Sequence, residues 1–255
     1  MKLRVDTYNM PVTLNVTLQT NDYRNVEIYA KHPTYEKTAL TSREIRFKGL
    51  KKIKLILPFN AEYVYVIARN KATGDERGVK ILKIEKEHLE TDYSSIVAMK
   101  NPLLVDFIRH AIDFSLRANI LPNGDYNSKS GKIRIKYQDK LKAKDKDGIL
   151  REILSPARVD ATTGQIEVAR DYIKQYTSYG LFAILCHEFS HVYLNKDKRN
   201  EAEADKNAYT IYLGMGFPKV DLIVTWAKVF KNANTEGNRE RMEKYVNAVE
   251  RFERK

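Results

Sequence analysis

The sequence predicts an α+β protein in two parts, an all-β N-terminal portion and a mixed C-terminal portion of helices and a small sheet. Three observations carry this. Up to about residue 88, apolar residues recur at every second position in short runs bounded by turn residues. From Pro102 onward they recur mainly at helical spacing. Residues 89–101 between them show weak patterning of either kind and read as a connector, which places the domains at 1–90 and 101–255.

In the first part Val12, Leu14, Val16 and Leu18 alternate with Thr13, Asn15, Thr17 and Gln19, the period of a half-buried strand. Similar runs follow at 25–31, 43–48, 51–57, 62–69 and 79–86, separated by His32-Pro33, Pro58-Phe59-Asn60 and Thr73-Gly74-Asp75. Six or seven short strands in under ninety residues predict a small immunoglobulin-like β-sandwich. This stretch has no cysteine pair and no clustered catalytic groups, so its expected role is docking, spacing or oligomer contact. Tyr-rich strands such as Tyr63-Val64-Tyr65 suit a protein interface, although tyrosine is equally an ordinary strand former.

In the second part Leu104, Phe107, Ile108, Ala111, Ile112 and Leu116 form one helical face, with His110 expected off it and exposed. Strands are predicted at 132–137, 151–159 and 165–168, with a Lys/Asp-rich loop after the first. A helix over Tyr179–Leu194 buries Phe182, Leu185, Cys186 and Phe189, and another covers Glu201–Leu213. Gly214 and Gly216 break that one, and Pro218 opens the next, for which Val220, Ile223, Val224, Ala227 and Phe230 read as the apolar face. A last helix from about Thr235 turns Met242, Tyr245, Val246, Val249 and Phe252 inward, and its Arg- and Glu-rich opposite face reads as solvated.

The chemistry is concentrated at His187-Glu188-Phe189-Ser190-His191, an H-E-x-x-H pattern inside the predicted helix. Residues four apart share a helical face, so His187 and His191 can hold one metal ion between their ring nitrogens. Glu188 is one step round and can reach a water on that metal. Catalytic zinc takes three protein ligands and keeps the fourth position open, and Glu201, ten residues after His191, can supply the third. Glu203 is the alternative, with poorer spacing. Asp205, four residues beyond Glu201 on the same face, can accept the far N–H of a ligand histidine.

H-E-x-x-H followed by Glu201-Ala202-Glu203-Ala204-Asp205 resembles the gluzincin metallopeptidases over roughly residues 165 to 215. In that family the first Glu of the second motif is a zinc ligand. The resemblance implies a zincin-like domain, one Zn²⁺ on His187, His191 and Glu201, and Glu188 as the general base in peptide hydrolysis. It also implies a small sheet above the motif helix with an edge strand for extended substrate. Tyr209 and Tyr212 are candidates to steady the oxyanion, by proximity alone. Nine residues separate His191 from Glu201, fewer than in many gluzincins, which makes this a minimal version.

Composition bounds the rest. The chain has 255 residues, 43% hydrophobic and 31% charged, with no apolar run near the length of a membrane span and no N-terminal apolar core of a signal peptide. A single cysteine excludes an internal disulfide and fits a reducing compartment, so a cytoplasmic site is expected, or a virion if the chain is phage-encoded. The net charge of +12 includes basic stretches at 43–54 and 129–146. Both could face nucleic acid or another acidic partner, but no recognition motif accompanies either. Lys52-Ile53-Lys54-Leu55 reads as the solvated face of a strand, and the second stretch mixes its lysines with Asp139, Asp145 and Asp147. The expected partner of the chain is therefore a protein or peptide substrate at the metal site. The rival reading is a structural or assembly protein, for example a phage virion or tail ring component, that carries a zincin-like domain with little or no activity.

Overall fold

The structure, a computed structural model, describes residues 2–89, 101–144, 146–160, 162–232 and 235–252. It is a mixed α+β chain that divides into two compact units, residues 1–91 and 92–255. The connector expected at 89–101 lies, for residues 90–100, outside the described residues.

Unit 1 is one antiparallel sheet of five strands, β1 (Lys2–Asp6), β2 (Val12–Lys31), β3 (Ala39–Leu57), β4 (Tyr63–Asn70) and β5 (Val79–His88). The runs at 12–19 and 25–31 join into the single strand β2, and those at 43–48 and 51–57 into β3. Between the two runs of β2 a register shift at Thr20/Arg24 interrupts the ladder, while pairing with β3 continues on both sides. Gly49 faces Thr20 at this point and takes a φ of +83°, which a residue with a Cβ adopts only with strain. The two halves of β2 have different second neighbours: Val12–Thr20 pairs β5 and Val26–Lys31 pairs β4. Val12, Leu14, Val16 and Leu18 are fully buried, so the alternation of the first run sets its inward face.

Unit 2 opens with α1 (Pro102–Arg117). Asn101 caps it, its side chain accepting from the N–H groups of Leu103 and Leu104, and Pro102 sits at the first position, where no N–H is needed. Strands β6 (Gly124–Asn127), β7 (Arg134–Gln138), β10 (Ala157–Val159) and β11 (Ile166–Ala169) make a sheet in the order β10-β11-β7-β6, with only the β11–β7 pair parallel. The Lys/Asp-rich stretch expected as a loop contains a hairpin, β8 (Leu141–Lys144) with β9 (Leu150–Ile153). The strand expected over 151–159 is divided between β9 and β10, with Pro156 in the gap, a residue with no N–H for a ladder. The helices that follow are α2 (Arg170–Ile173), α3 (Ser178–Tyr193), α4 (Glu201–Gly214), α5 (Lys219–Asn232) and α6 (Glu236–Glu250).

Helix α3 is the centre of unit 2. Thr177 caps it, and every residue from Ser178 to Ser190 is buried, as its nearly all-apolar sequence requires. Phe189 stacks on Phe107 of α1 with centroids 4.0 Å apart, and Phe182 packs on Tyr212 of α4 and on Phe217. Two sequence expectations change here. His110 is half-buried, with Nε2 3.2 Å from the carbonyl of Tyr126. The buried face of α5 is Leu222, Thr225, Trp226 and Phe230, whereas Val220 and Val224 are 47% and 46% exposed. Helix α5 is thus rotated from the apolar-count face so that its tryptophan meets α3.

Candidate metal centre

Helix α3 carries His187 and His191 one turn apart, with their rings nearly perpendicular at 86°. The chain turns back through 194–200, and Asn200 caps α4 by accepting from the N–H of Glu203. Glu201 therefore starts α4, and the fully buried Ala204 and Ala208 permit α4 to pack closely on α3. The result brings three donors together. The Nε2 atoms of His187 and His191 are 3.0 Å apart. Glu201 Oε2 lies 3.3 Å from His187 Nε2, and Oε1 lies 3.6 Å from His191 Nε2. Four ligands tetrahedrally placed at about 2.0–2.1 Å from zinc are roughly 3.3–3.4 Å from one another, so the three separations match such a site.

The other ring nitrogens are engaged behind the cluster. His191 Nδ1 donates to the carbonyl of Lys198 at 2.8 Å, which turns Nε2 toward His187 and Glu201. His187 Nδ1 is 3.1 Å from Oδ1 of Asp205, off the axis of an aligned hydrogen bond but within ion-pair distance. Asp205 is buried and is itself gripped by Arg241 of α6, through Nε to Oδ2 at 2.5 Å and Nη2 to Oδ1 at 2.8 Å. The same Nη2 reaches Glu201 Oε2 at 2.8 Å. Arg241 thus joins the candidate ligand to the carboxylate behind His187. Glu203, the alternative ligand, points elsewhere and accepts from the N–H of Lys196.

The electrostatics follow from burial and these contacts. Burial opposes charge on His187, but the carboxylates of Asp205 and Glu201 outweigh it and raise the imidazole to about 9. Burial likewise works against charge on Glu201 and Asp205. For Glu201 the neighbouring histidines and Arg241 prevail, for Asp205 mainly Arg241 and His187, and both carboxyls stay below their ordinary range. Glu188 goes the other way, because it is almost wholly buried and its desolvation exceeds the pull of the two histidines. A cation entering the cluster competes with a proton for the same nitrogens.

A cleft of about 900 Å³ opens over the cluster and is bordered by His187, Glu188, His191, Glu201 and Arg241. Its lining includes β10 with Leu154, Ser155 and Pro156 before it, and Trp226, Val229 and Phe230 of α5. Strand β10 pairs with β11 alone among the described strands, and on its other edge the Ala157 carbonyl accepts from the Ser155 hydroxyl at 2.6 Å. Tyr209 and Tyr212 do not border this cleft. Tyr209 packs on Tyr245 of α6, and Tyr212 is fully buried beside Phe182 and Phe217. The oxyanion role inferred for them from proximity is therefore corrected: on α4 they face hydrophobic neighbours.

Arg241 and Trp226 are the site residues that the sequence reading missed. Arg241 stands one turn before the buried Tyr245 and two before the buried Val249, so the helical repeat places it on the inward face. Trp226 packs on His187 with centroids 4.9 Å apart. Compared with protein families, curated proteins and solved structures, the chain has no match. No helix is long and apolar enough to cross a membrane, among the described residues.

Proposed function

We propose that the chain is a zinc-dependent peptidase whose unit 2 is a minimal gluzincin-like domain. The observation that carries this is the convergence of His187, His191 and Glu201, with donor atoms all within 4.8 Å, beside a buried Glu188 at the bottom of a cleft. Two imidazoles and one carboxylate are the donor set of hydrolytic zinc. A bound zinc ion supplies Lewis acidity, making water more acidic and a carbonyl more electrophilic. The residues do the rest. The edge of β10 away from β11 has no strand partner among the described residues and pairs an extended peptide as an added strand once the Ser155 hydroxyl releases the Ala157 carbonyl. Glu188 takes a proton from the attacking water as its oxygen bonds to the peptide carbon, and returns that proton to the amine as the C–N bond breaks. Arg241 and Asp205 hold Glu201 and His187 in place.

Unit 1 is read as the sandwich-type docking module. It carries no cluster of metal-ligating groups among its described residues, and it exposes Tyr23, Leu50 and Leu82 at 72%, 65% and 52%. This favours a protein contact there, as in an assembly component that retains the zinc site. A monodisperse high-order species in size-exclusion chromatography supports that second role.

The deciding experiment pairs metal analysis with peptide hydrolysis. Purified protein should carry about one zinc per chain. Glu188→Gln should keep the zinc and lose roughly 10²- to 10⁴-fold in rate, the usual share of a general base. A wild type with no measurable zinc affinity removes the reading. One that binds zinc but hydrolyses no peptide leaves unit 2 as a scaffold.

A further inference from the structure

The connection between α3 and α4 is braced along its length. Asn195 donates to the carbonyl of Asn200 (2.9 Å) and accepts from Asn207 (3.0 Å). The N–H of Arg199 donates to Asp197 (2.9 Å), and the Lys198 carbonyl accepts from His191 (2.8 Å). The last of these bonds fixes the backbone at 198 relative to the metal centre. Lys198 and Arg199 border the cleft, are exposed, and have no acidic partner among the described residues.

The other charged groups bordering the cleft outside the candidate catalytic cluster are committed. Arg158 is bound to Glu167 at 2.6 Å, and Asp160 accepts from the N–H groups of Thr162 and Thr163 at 2.8 and 2.9 Å. Arg241 is held by Asp205 and Glu201. Trp226 lies against His187, and the backbone carbonyl of Lys198 accepts from His191.

We propose that the cleft selects peptides that place a carboxylate beside Lys198 and Arg199, from an Asp or Glu side chain or from a chain end. This rests on the peptidase reading above. Two adjacent cations with no counter-ion among the described residues raise the local positive potential, and a zinc ion adds to it. A passing carboxylate relieves that repulsion, whereas a Lys or Arg at the same place is rejected.

The test uses the full-length, zinc-loaded Glu188→Gln protein, which holds peptides without cleaving them. Trp226 is the only tryptophan of the chain and borders the cleft, so its fluorescence reports binding without a charged label. The probes are Ala/Leu octapeptides, acetylated and amidated, with one Asp, Ala or Lys stepped through each position, together with the unsubstituted free acid. At the responsive position Asp should bind about three- to tenfold more tightly than Ala, Lys should bind more weakly, and the gap should close as salt is raised. A gain confined to the free acid assigns the contact to a chain end. Replacing both cations (Lys198→Glu with Arg199→Glu) should reverse the order. Binding with no ranking by charge, or a ranking that survives the double replacement, overturns this inference alone. No binding of any probe, with wild type inert on all of them, overturns the peptidase reading as well.

Discussion

Arg241 ties two carboxylates with one guanidinium, and that sets what its loss does. Asp205 is buried, so Arg241→Met leaves the His187 imidazolium, 3.1 Å away, as its remaining counter-charge and takes the arginine from Glu201. Metal-free protein should lose about 1–3 kcal/mol, read as a lower midpoint in urea. Zinc affinity should fall by roughly 10- to 100-fold, because Glu201 and His187 are no longer held, and a competing chelator measures this. Arg241→Lys should restore part of the stability but little of the affinity, since an ammonium cannot span both carboxylates as a planar fork does. Unchanged zinc affinity in Arg241→Met would show that the ligands stand without it. The four residues at 187, 191, 201 and 205 were legible in the sequence because helical spacing alone puts each pair on one face. Arg241 was not, because it meets Asp205 across 36 residues and no local rule links them. Tyr209 and Tyr212 failed for a related reason: nearness along a helix does not say which neighbour a face meets.

At the scale of elements, α3 and α5 approach each other where α3 has a glycine. A Cβ built on Gly180 would lie 2.5 Å from Oγ1 of Thr225, whose hydroxyl already donates to the carbonyl of Asp221. Thr225 is β-branched and buried, so it cannot swing aside. Gly180→Ala gains helix propensity of up to about 1 kcal/mol, yet the overlap should cost about 1–3 kcal/mol. The net expectation is destabilisation, seen as a lower urea midpoint. Adding Thr225→Ala to Gly180→Ala should recover much of the loss, and additive costs in the pair would rule out the overlap as the cause. Helices were the legible elements here, since apolar spacing over a dozen or more residues is a strong signal. Their rotation was less so: Val220, Ile223, Val224 and Ala227 outnumber the apolar Leu222 and Trp226 on α5, but Trp226 offers more area to α3 and wins the buried face. Strand β6 (Gly-Asp-Tyr-Asn) is mostly polar and shows no apolar alternation, and β8 (Leu-Lys-Ala-Lys) alternates over only four residues, too short a run to be read. The joining of four runs into β2 and β3 is settled by their pairing with each other, which no single run records.

At the scale of the molecule, the two units divide the work. The ligating cluster, the cleft and the arginine clamp all come from residues 153–241, inside the unit that spans 92–255, and the described strands of 2–88 pair only with one another. Each unit has its own fully buried side chains, Leu14, Ile28 and Leu55 in one and Phe107, Phe182 and Phe189 in the other. A unit with its own core and its own ladder folds without the other. A fragment of residues 101–255 should therefore fold alone, give a mixed α and β circular dichroism spectrum, and bind one zinc with the affinity of the full chain. A fragment of residues 1–89 should give a β spectrum and bind none. Brief proteolysis of the full chain should cut first between residues 89 and 101 and leave both products intact. If 101–255 is unfolded, or needs the first fragment before it binds zinc, the metal centre depends on groups beyond its own unit and the division is wrong.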